Sequence, residues 1–297
     1  MLNSILKKGS VALLGAAMMF ACNSGGLETT STGLRYTMVK KGDGPKPKDG
    51  EFVIMNLSLL NHTDSVIFST ATNGSQEVFQ YYDSLMPKNG SIEEAISMLS
   101  KGDSITLKVA ADSIYRGSMT PPGVTKGTDL TIHIGLADIL DQAGFEAWQM
   151  AEYQKRQEKM LAMAAEQMAI DKALITDFLT EKGIEAQSTA NGLYYVITQE
   201  GSGATPERGQ KVTVHYKGTL LDGTPFDSSY DRGAPFTFTL GVGQVIRGWD
   251  EGLALLNKGA KATLYIPSPL AYGSSQRGPV IKPNSVLMFE VEMVDFE

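Results

Sequence analysis

One segment of this chain is written twice. Residues 32–44, "TGLRYTMVKKGDG", match residues 191–203, "NGLYYVITQEGSG", at an offset of 159. Gly50 and Gly209 keep that offset; later landmarks, "LSKG" at 99–102 with "LNKG" at 256–259 and Tyr115 with Tyr272, are 157 apart. A net difference of two residues is what a surface loop tolerates. Whatever fold the chain adopts must therefore be built twice, from units of about 105 residues each. The units are large and an unlike segment separates them, so this is a domain duplication and not a solenoid.

The separator, Gln142–Lys182, is rich in Ala, Met, Glu, Gln and Lys, has no proline, and has glycine only at Gly144. That composition predicts helix throughout, about 60 Å long if unbroken. Leu174, Ile175, Phe178 and Leu179 recur on one helical face, and Gly183 is placed to end the helix in a left-handed cap with Ile184 as its apolar contact. Trp148, Tyr153, Met160, Leu161 and Met168 keep no clean heptad. A spacer and a homodimerisation helix both stay open for this segment.

With 297 residues the chain has room for two domains of ordinary size, and 42% hydrophobic with 20% charged residues is a globular composition. A formal net charge of −7 offers no basic footprint for nucleic acid, which is not expected as a partner. Near the start, Lys7 and Lys8 precede the apolar run "VALLGAAMMFA" at 11–21. The run is too short to span a bilayer and reads as a signal peptide, residues 1–21. Cys22, the only cysteine, follows it directly. It has no partner for an internal disulfide. Its place resembles the acylation site of a bacterial lipoprotein, although Met19 and Phe20 depart from the usual residues there. Lipid on Cys22 would anchor the protein to a membrane of the bacterial cell envelope, facing the periplasm or at the outer membrane. Residues 22–31, small and polar, read as a tether.

Inside the repeats the local signals are β. In "QKVTVHYKGTLLDGTPFDSS", Val212, Val214 and Tyr216 alternate before a turn at Asp222-Gly223; "PFTFTLG" alternates again, and "AKATLYIP" and "SVLMFEVEMVDF" read as further strands. "IRGWDEGLALL" is the one credible helix, about three turns. Sheet plus a short helix makes each repeat α+β. The expected organisation is a first repeat at 32–140, a helical linker at 141–186 and a second repeat at 187–297.

In the second repeat the landmarks "VHYKGTLLDGTPFDSSYDRGAPFTFTLGVGQVIRGWDEGLALLNKGAKATLYIPSPLAYGS" and "VIKPNSVLMFEVEMVDFE" stand in order and at matching spacing over residues 192–297. This resembles the FKBP-type peptidyl-prolyl cis-trans isomerases. The resemblance implies a half-open antiparallel sheet wrapped on a short helix, with a pocket between them. It implies catalytic roles for Asp227, Tyr272, Tyr216 and Ile246, and a substrate-binding lining of Phe226, Phe236, Val245, Trp249, Ile281 and Phe289. Implied partners are unfolded or partly folded proteins with Xaa-Pro bonds, and macrolides of the FK506 type; no cofactor or metal is implied. The Tyr272 hydroxyl and the Ile246 N–H would donate to substrate carbonyls, and Asp227 would lie near the twisted amide, paired with Tyr216 and Arg232. One departure is the loop at 273–283, where Gln276-Arg277 stands in place of the Gly-His of well-known members.

The first repeat carries Leu57 for Tyr216, Ile92 for Trp249 and Ile132 for Phe289, and Ser69 is expected in the aspartate position; only Tyr115 keeps its aromatic type. Scaffold without site predicts a catalytically silent FKBP-like domain. Two functions compete for the whole: a lipid-anchored isomerase that assists envelope protein folding, and a non-catalytic chaperone or binding module for proline-containing segments. Other chemistries find no footing. His62, His133 and His215 are isolated, with no metal-ligand spacing. "GVGQVIRG" follows β signals without a dinucleotide-binding context. His215 alternates with Tyr216 and is expected on the outer face of its strand.

Overall fold

The computed structural model describes residues 26–115 and 119–297; the expected signal segment and Cys22 lie outside the described residues. The first repeat contains strands β1 (Glu28–Thr29), β2 (Arg35–Lys40), β3 (Phe52–Leu60), β4 (Val66–Ser69) and β5 (Glu77–Gln80), helix α1 (Ile92–Met98), β6 (Ser104–Ala110) and β7 (Asp129–Leu140). Its first strand starts inside the stretch read as a tether. Helix α2 (Gln142–Lys182) follows, then β8 (Gln187–Ser188), β9 (Tyr194–Gln199), β10 (Lys211–Leu220), β11 (Pro225–Ser228), β12 (Phe236–Thr239), α3 (Arg247–Leu253), β13 (Lys261–Ile266) and β14 (Leu287–Phe296). The chain divides into two compact units, Met1–Glu152 and Tyr153–Glu297, with the boundary inside α2.

Each repeat folds its strands into an antiparallel sheet of one topology. The first runs β1-β2-β6-β7-β3-β4 with β5 also on β3; the second runs β8-β9-β13-β14-β10-β11 with β12 also on β10. Register shows the duplication residue by residue: Leu57 faces Ile134 as Tyr216 faces Val291, and Leu59 faces Ile132 as Gly218 faces Phe289. The offset is still 159 where Gly50 and Gly209 donate to the Tyr81 and Leu240 carbonyls, and has become 157 at Leu99 and Leu256. The two extra residues of the first repeat therefore fall in its loop before α1, which holds a 3-10 turn at Asp83–Leu85. Each sheet turns an apolar face toward its helix. In the first repeat Met55, Leu57, Leu59, Leu107, Ile132 and Ile96 are buried; in the second, Val212, Val214, Leu264, Phe289 and Leu253.

Helix α3 covers seven residues, two turns instead of the three expected. Beyond Leu253 the backbone tightens: Leu255 and Leu256 donate three residues back, to Gly252 and Leu253. Such 3-10 bonds satisfy end carbonyls while closing the helix. Helix α2 spans the 41 residues expected of it. Gly183 ends it at φ +63°, with the Ile184 N–H on the Leu179 carbonyl at 2.9 Å, so Ile184 folds back onto the apolar face. Ile175 and Leu179 are buried against Tyr265 and Val286 of the second repeat, with Phe178 tilted on Tyr265; Leu174, expected on that face, is exposed. Among the described residues no helix is long and apolar enough to cross a membrane.

One buried carboxylate staples the first repeat. Glu94 in α1 is buried, its oxygens lie 2.5 and 2.7 Å from the Thr32 hydroxyl, and it accepts from the Gly90 N–H at 2.7 Å. Burial alone would raise its pKa; the hydrogen bonds from Thr32 and Gly90 outweigh this and hold the carboxyl below its ordinary value. A depressed folded-state pKa means the stabilisation is complete above the unfolded value, about 4.3, and lost as pH falls through the folded one. Glu94→Gln is expected to cost roughly 1–2 kcal/mol at neutral pH. Denaturant midpoints should show that difference shrinking below about pH 4; a pH-independent difference would contradict it.

Candidate active site

Strand β10 and its neighbours place aromatic rings around one indole. Trp249, the third residue of α3, is buried, with the Tyr216 ring 4.9 Å away at 82° and the Phe289 ring 5.2 Å away at 80°. Phe236 and Phe238 stand 6.2 and 5.9 Å from it, and Phe226 meets Phe289 edge-on at 5.4 Å. Edge-to-face packing of this kind fixes ring planes as well as burying area. Strand alternation accounts for the convergence, since Tyr216 and Gly218 share a face of β10 and Phe289 lies across from Gly218 on β14. Ile281 is buried beside this cluster, and Val245, Ile246 and Tyr272 are half-buried against it; Phe236 is partly exposed. The substrate-lining positions named from the sequence thus lie in or against one apolar cluster. Phe238 was missed, although the alternation of "PFTFTLG" puts it on the face of Phe236. The buried Trp249 Nε1 has no hydrogen-bond partner among the described residues.

Gly218 makes the cluster possible. A Cβ there would stand 2.5 Å from Phe226 Cε2 and 2.9 Å from Phe289 Cε1. Only glycine lets both rings close over the strand. The equivalent residue of the first repeat is Leu59, fully buried.

A polar network borders the rings. The Tyr216 hydroxyl donates to Asp227 Oδ2 at 2.5 Å; Arg232 donates to Asp227 Oδ1 at 2.5 Å and to the Tyr216 hydroxyl at 2.6 Å, its guanidinium lying over the Tyr216 ring. Burial alone would raise the Asp227 carboxyl; the hydrogen bonds from Tyr216 and Arg232 overcome that and hold it below the usual carboxylate range. Burial, then the bond to Asp227, push the Tyr216 hydroxyl above its ordinary value. At neutral pH the site therefore presents a fixed carboxylate and a neutral phenol. Behind them the Ser229 hydroxyl accepts from the Tyr216 N–H at 2.8 Å and lies 3.2 Å from its carbonyl, pinning the strand. His215 sits on the other face, as expected, stacked on Tyr230.

The Ile246 carbonyl accepts from the Trp249 and Asp250 N–H groups at the start of α3, while its own N–H makes no hydrogen bond among the described residues. The Tyr272 ring carries the Arg277 guanidinium 5.1 Å from its centre. Among the described residues no cluster of His, Cys, Asp and Glu could hold a metal.

Register corrects one sequence expectation. Phe68, not Ser69, faces Leu59 as Asp227 faces Gly218. Ser69 corresponds to Ser228, and Thr70 to Ser229: the Thr70 hydroxyl accepts from the Leu57 N–H at 3.1 Å. The first repeat has kept the strand pin and replaced the carboxylate by a phenyl ring.

The profile described as FKBP-type peptidyl-prolyl cis-trans isomerase matches residues 202–294. The peptidyl-prolyl cis-trans isomerase Fkbp12 of Drosophila melanogaster is 55% identical over 107 residues, covering 36% of this chain and 99% of that protein. The FK506-binding protein of Neisseria meningitidis serogroup B is 52% identical over 103 residues, 35% of this chain and 94% of the relative. The isomerase FkpA of Escherichia coli K12 is 42% identical over 160 residues, 54% of this chain and 57% of that protein. A crystal structure of E. coli FkpA aligns at 40% identity over 53% of this chain and 74% of that one, with a TM-score of 0.39. With relatives more than 50% identical along nearly their whole length, the chain belongs to the FKBP-type peptidyl-prolyl cis-trans isomerases.

Proposed function

We propose that the second repeat accelerates Xaa-Pro rotation in unfolded and partly folded proteins of the bacterial envelope, by desolvating the amide and binding its twisted form. The carrying observation is the aromatic enclosure of Trp249 bordered by the fixed Tyr216–Asp227–Arg232 network. Amide rotation faces a barrier of about 18–20 kcal/mol, set by resonance that places negative charge on the carbonyl oxygen. Water stabilises that planar form more than the twisted one, so an apolar enclosure favours the twisted amide. No proton leaves carbon or nitrogen, so Asp227 acts as a charge held in place and not as a general base. The Tyr272 hydroxyl and the Ile246 N–H orient the substrate by donating to its carbonyls, and Phe226, Phe236, Val245, Ile281 and Phe289 wall the proline ring over Trp249.

In this reading the first repeat is catalytically silent and serves as a holding or spacing domain; Leu59 and Phe68 at the positions of Gly218 and Asp227 support that role. Lipid on Cys22 anchors the protein to the envelope membrane. The exposed Met150, Tyr153, Met160 and Leu161 of α2 support a homodimer through the helix. The name of the Neisseria relative supports macrolides of the FK506 type as ligands.

The test is isomerisation of a Leu-Pro peptide by the whole chain and by its Asp227→Leu, Tyr272→Phe double variant. The double variant is expected to lose at least about tenfold in kcat/KM. If the unaltered chain isomerises no Xaa-Pro peptide while still binding one, the site is a binding module for proline-containing segments and the enzyme reading falls.

A further inference from the structure

Resting on that reading of the site, its rim carries a feature that bears on substrate class. From Gly252 to Phe289 the chain contains no Asp or Glu, although it holds 33 such residues in all; the same stretch contains Lys258, Lys261, Arg277 and Lys282. Lys258 and Lys261 are neutralised by Asp295 at 2.7 Å and Glu292 at 3.1 Å. Arg277 and Lys282 make no ion pair among the described residues. The acids that follow, Glu290 and Glu292, alternate with the buried Phe289 and Val291 and so face away from the ring cluster. Arg232, the other guanidinium beside the site, is matched by Asp227.

Arg277 is both exposed and held. Its N–H donates to the carbonyl of Ile281, a buried member of the cluster, at 2.9 Å, in an isolated bridge between the two residues. Its guanidinium lies over the ring of Tyr272. A cation stacked on an aromatic face is positioned without losing its charge, and its forked donors stay available to a carboxylate. We infer that Arg277 is a specificity residue that selects Xaa-Pro segments carrying a carboxylate within a residue or two of the proline.

An exposed pair of this kind discriminates modestly and is screened by salt. The test uses the full chain and three peptides that differ only beside the proline, with Glu, Gln or Lys. The Glu peptide is expected to exceed the Lys peptide in kcat/KM by about three- to tenfold at an ionic strength near 0.01 M, and the ratio to collapse toward unity near 1 M. Arg277→Gln should bring the low-salt ratio to about one, and Arg277→Glu should invert it. An unaltered ratio in both variants, or a ratio of one in the native chain, overturns the inference while leaving isomerisation of the Gln peptide intact. If no peptide is isomerised, the isomerase reading fails instead. The same ratios, measured as peptide affinities by tryptophan fluorescence, then decide the charge preference alone.

Discussion

The triple variant Gly218→Leu, Phe226→Ile, Phe289→Ile is expected to yield a folded second repeat that no longer isomerises prolyl bonds. The design copies the first repeat, where Leu59, Ile67 and Ile132 occupy these positions and pack into a continuous core. Gly218→Leu alone would force a branched side chain to within 3 Å of two rings, and its failure to fold would say nothing about catalysis. Removing the rings with it relieves that contact. The leucine still adds more volume than the two ring replacements remove, but the first repeat accommodates the same three side chains on a sheet of the same topology, so stability should change less than activity. What disappears is the wall that encloses Trp249. If desolvation supplies the rate, losing it should cost on the order of 3 kcal/mol in the transition state, about a hundredfold in kcat/KM. Circular dichroism and thermal unfolding report the fold, and a Leu-Pro peptide reports the rate. A folded triple variant with native rates would show that the enclosure around Trp249 is not where the chemistry occurs.

The contrast between the repeats marks what a sequence discloses. Duplication, long helix and strand pattern were readable because they rest on local periodicity and on spacing, both preserved along the chain. The pocket rings were readable only through the resemblance to a known family, whose landmarks stand in order over residues 192–297; Trp249 taken alone reads as ordinary core. Gly218 was invisible for the opposite reason: a residue with no side chain announces nothing, and its value depends on two rings brought in by strands β11 and β14. The misplacement of Ser69 has a related cause. A side-by-side reading favours chemical likeness, a polar residue for a polar residue, whereas register assigns Phe68 to the aspartate position by counting across a sheet. Asp171 was equally hidden. On a helix so rich in charge it reads as one more solvated carboxylate, and its partner lies 97 residues away.

That carboxylate leads to the second large effect. Asp171 is fully buried on α2; one of its oxygens accepts from the Ser268 N–H at 2.7 Å and its hydroxyl at 2.6 Å, and the other accepts from Gln167 Nε2 at 2.7 Å. It thereby ties the helix to the turn Ser268–Leu270, which leads directly into Tyr272. Asp171→Ala would leave a buried N–H and hydroxyl unpaired, at a cost of about 2–4 kcal/mol. For a unit of this size that is a fall of roughly 5–15 °C in the Tm of the second unit. Asp171→Asn retains an acceptor and should recover part of it, and the Asp171→Ala, Ser268→Ala pair should be clearly less than additive. A shift of less than about one degree for Asp171→Ala would mean the tie contributes nothing. The same tie decides where the enzyme begins. Ile175 and Leu179 are buried against Tyr265 and Val286, so cutting the chain at residue 187 would uncover that surface, whereas Tyr153–Glu297 keeps it covered. The longer piece should melt cooperatively at the temperature of the second unit in the whole chain, and the shorter one well below it, because the last turns of the helix belong structurally to the isomerase.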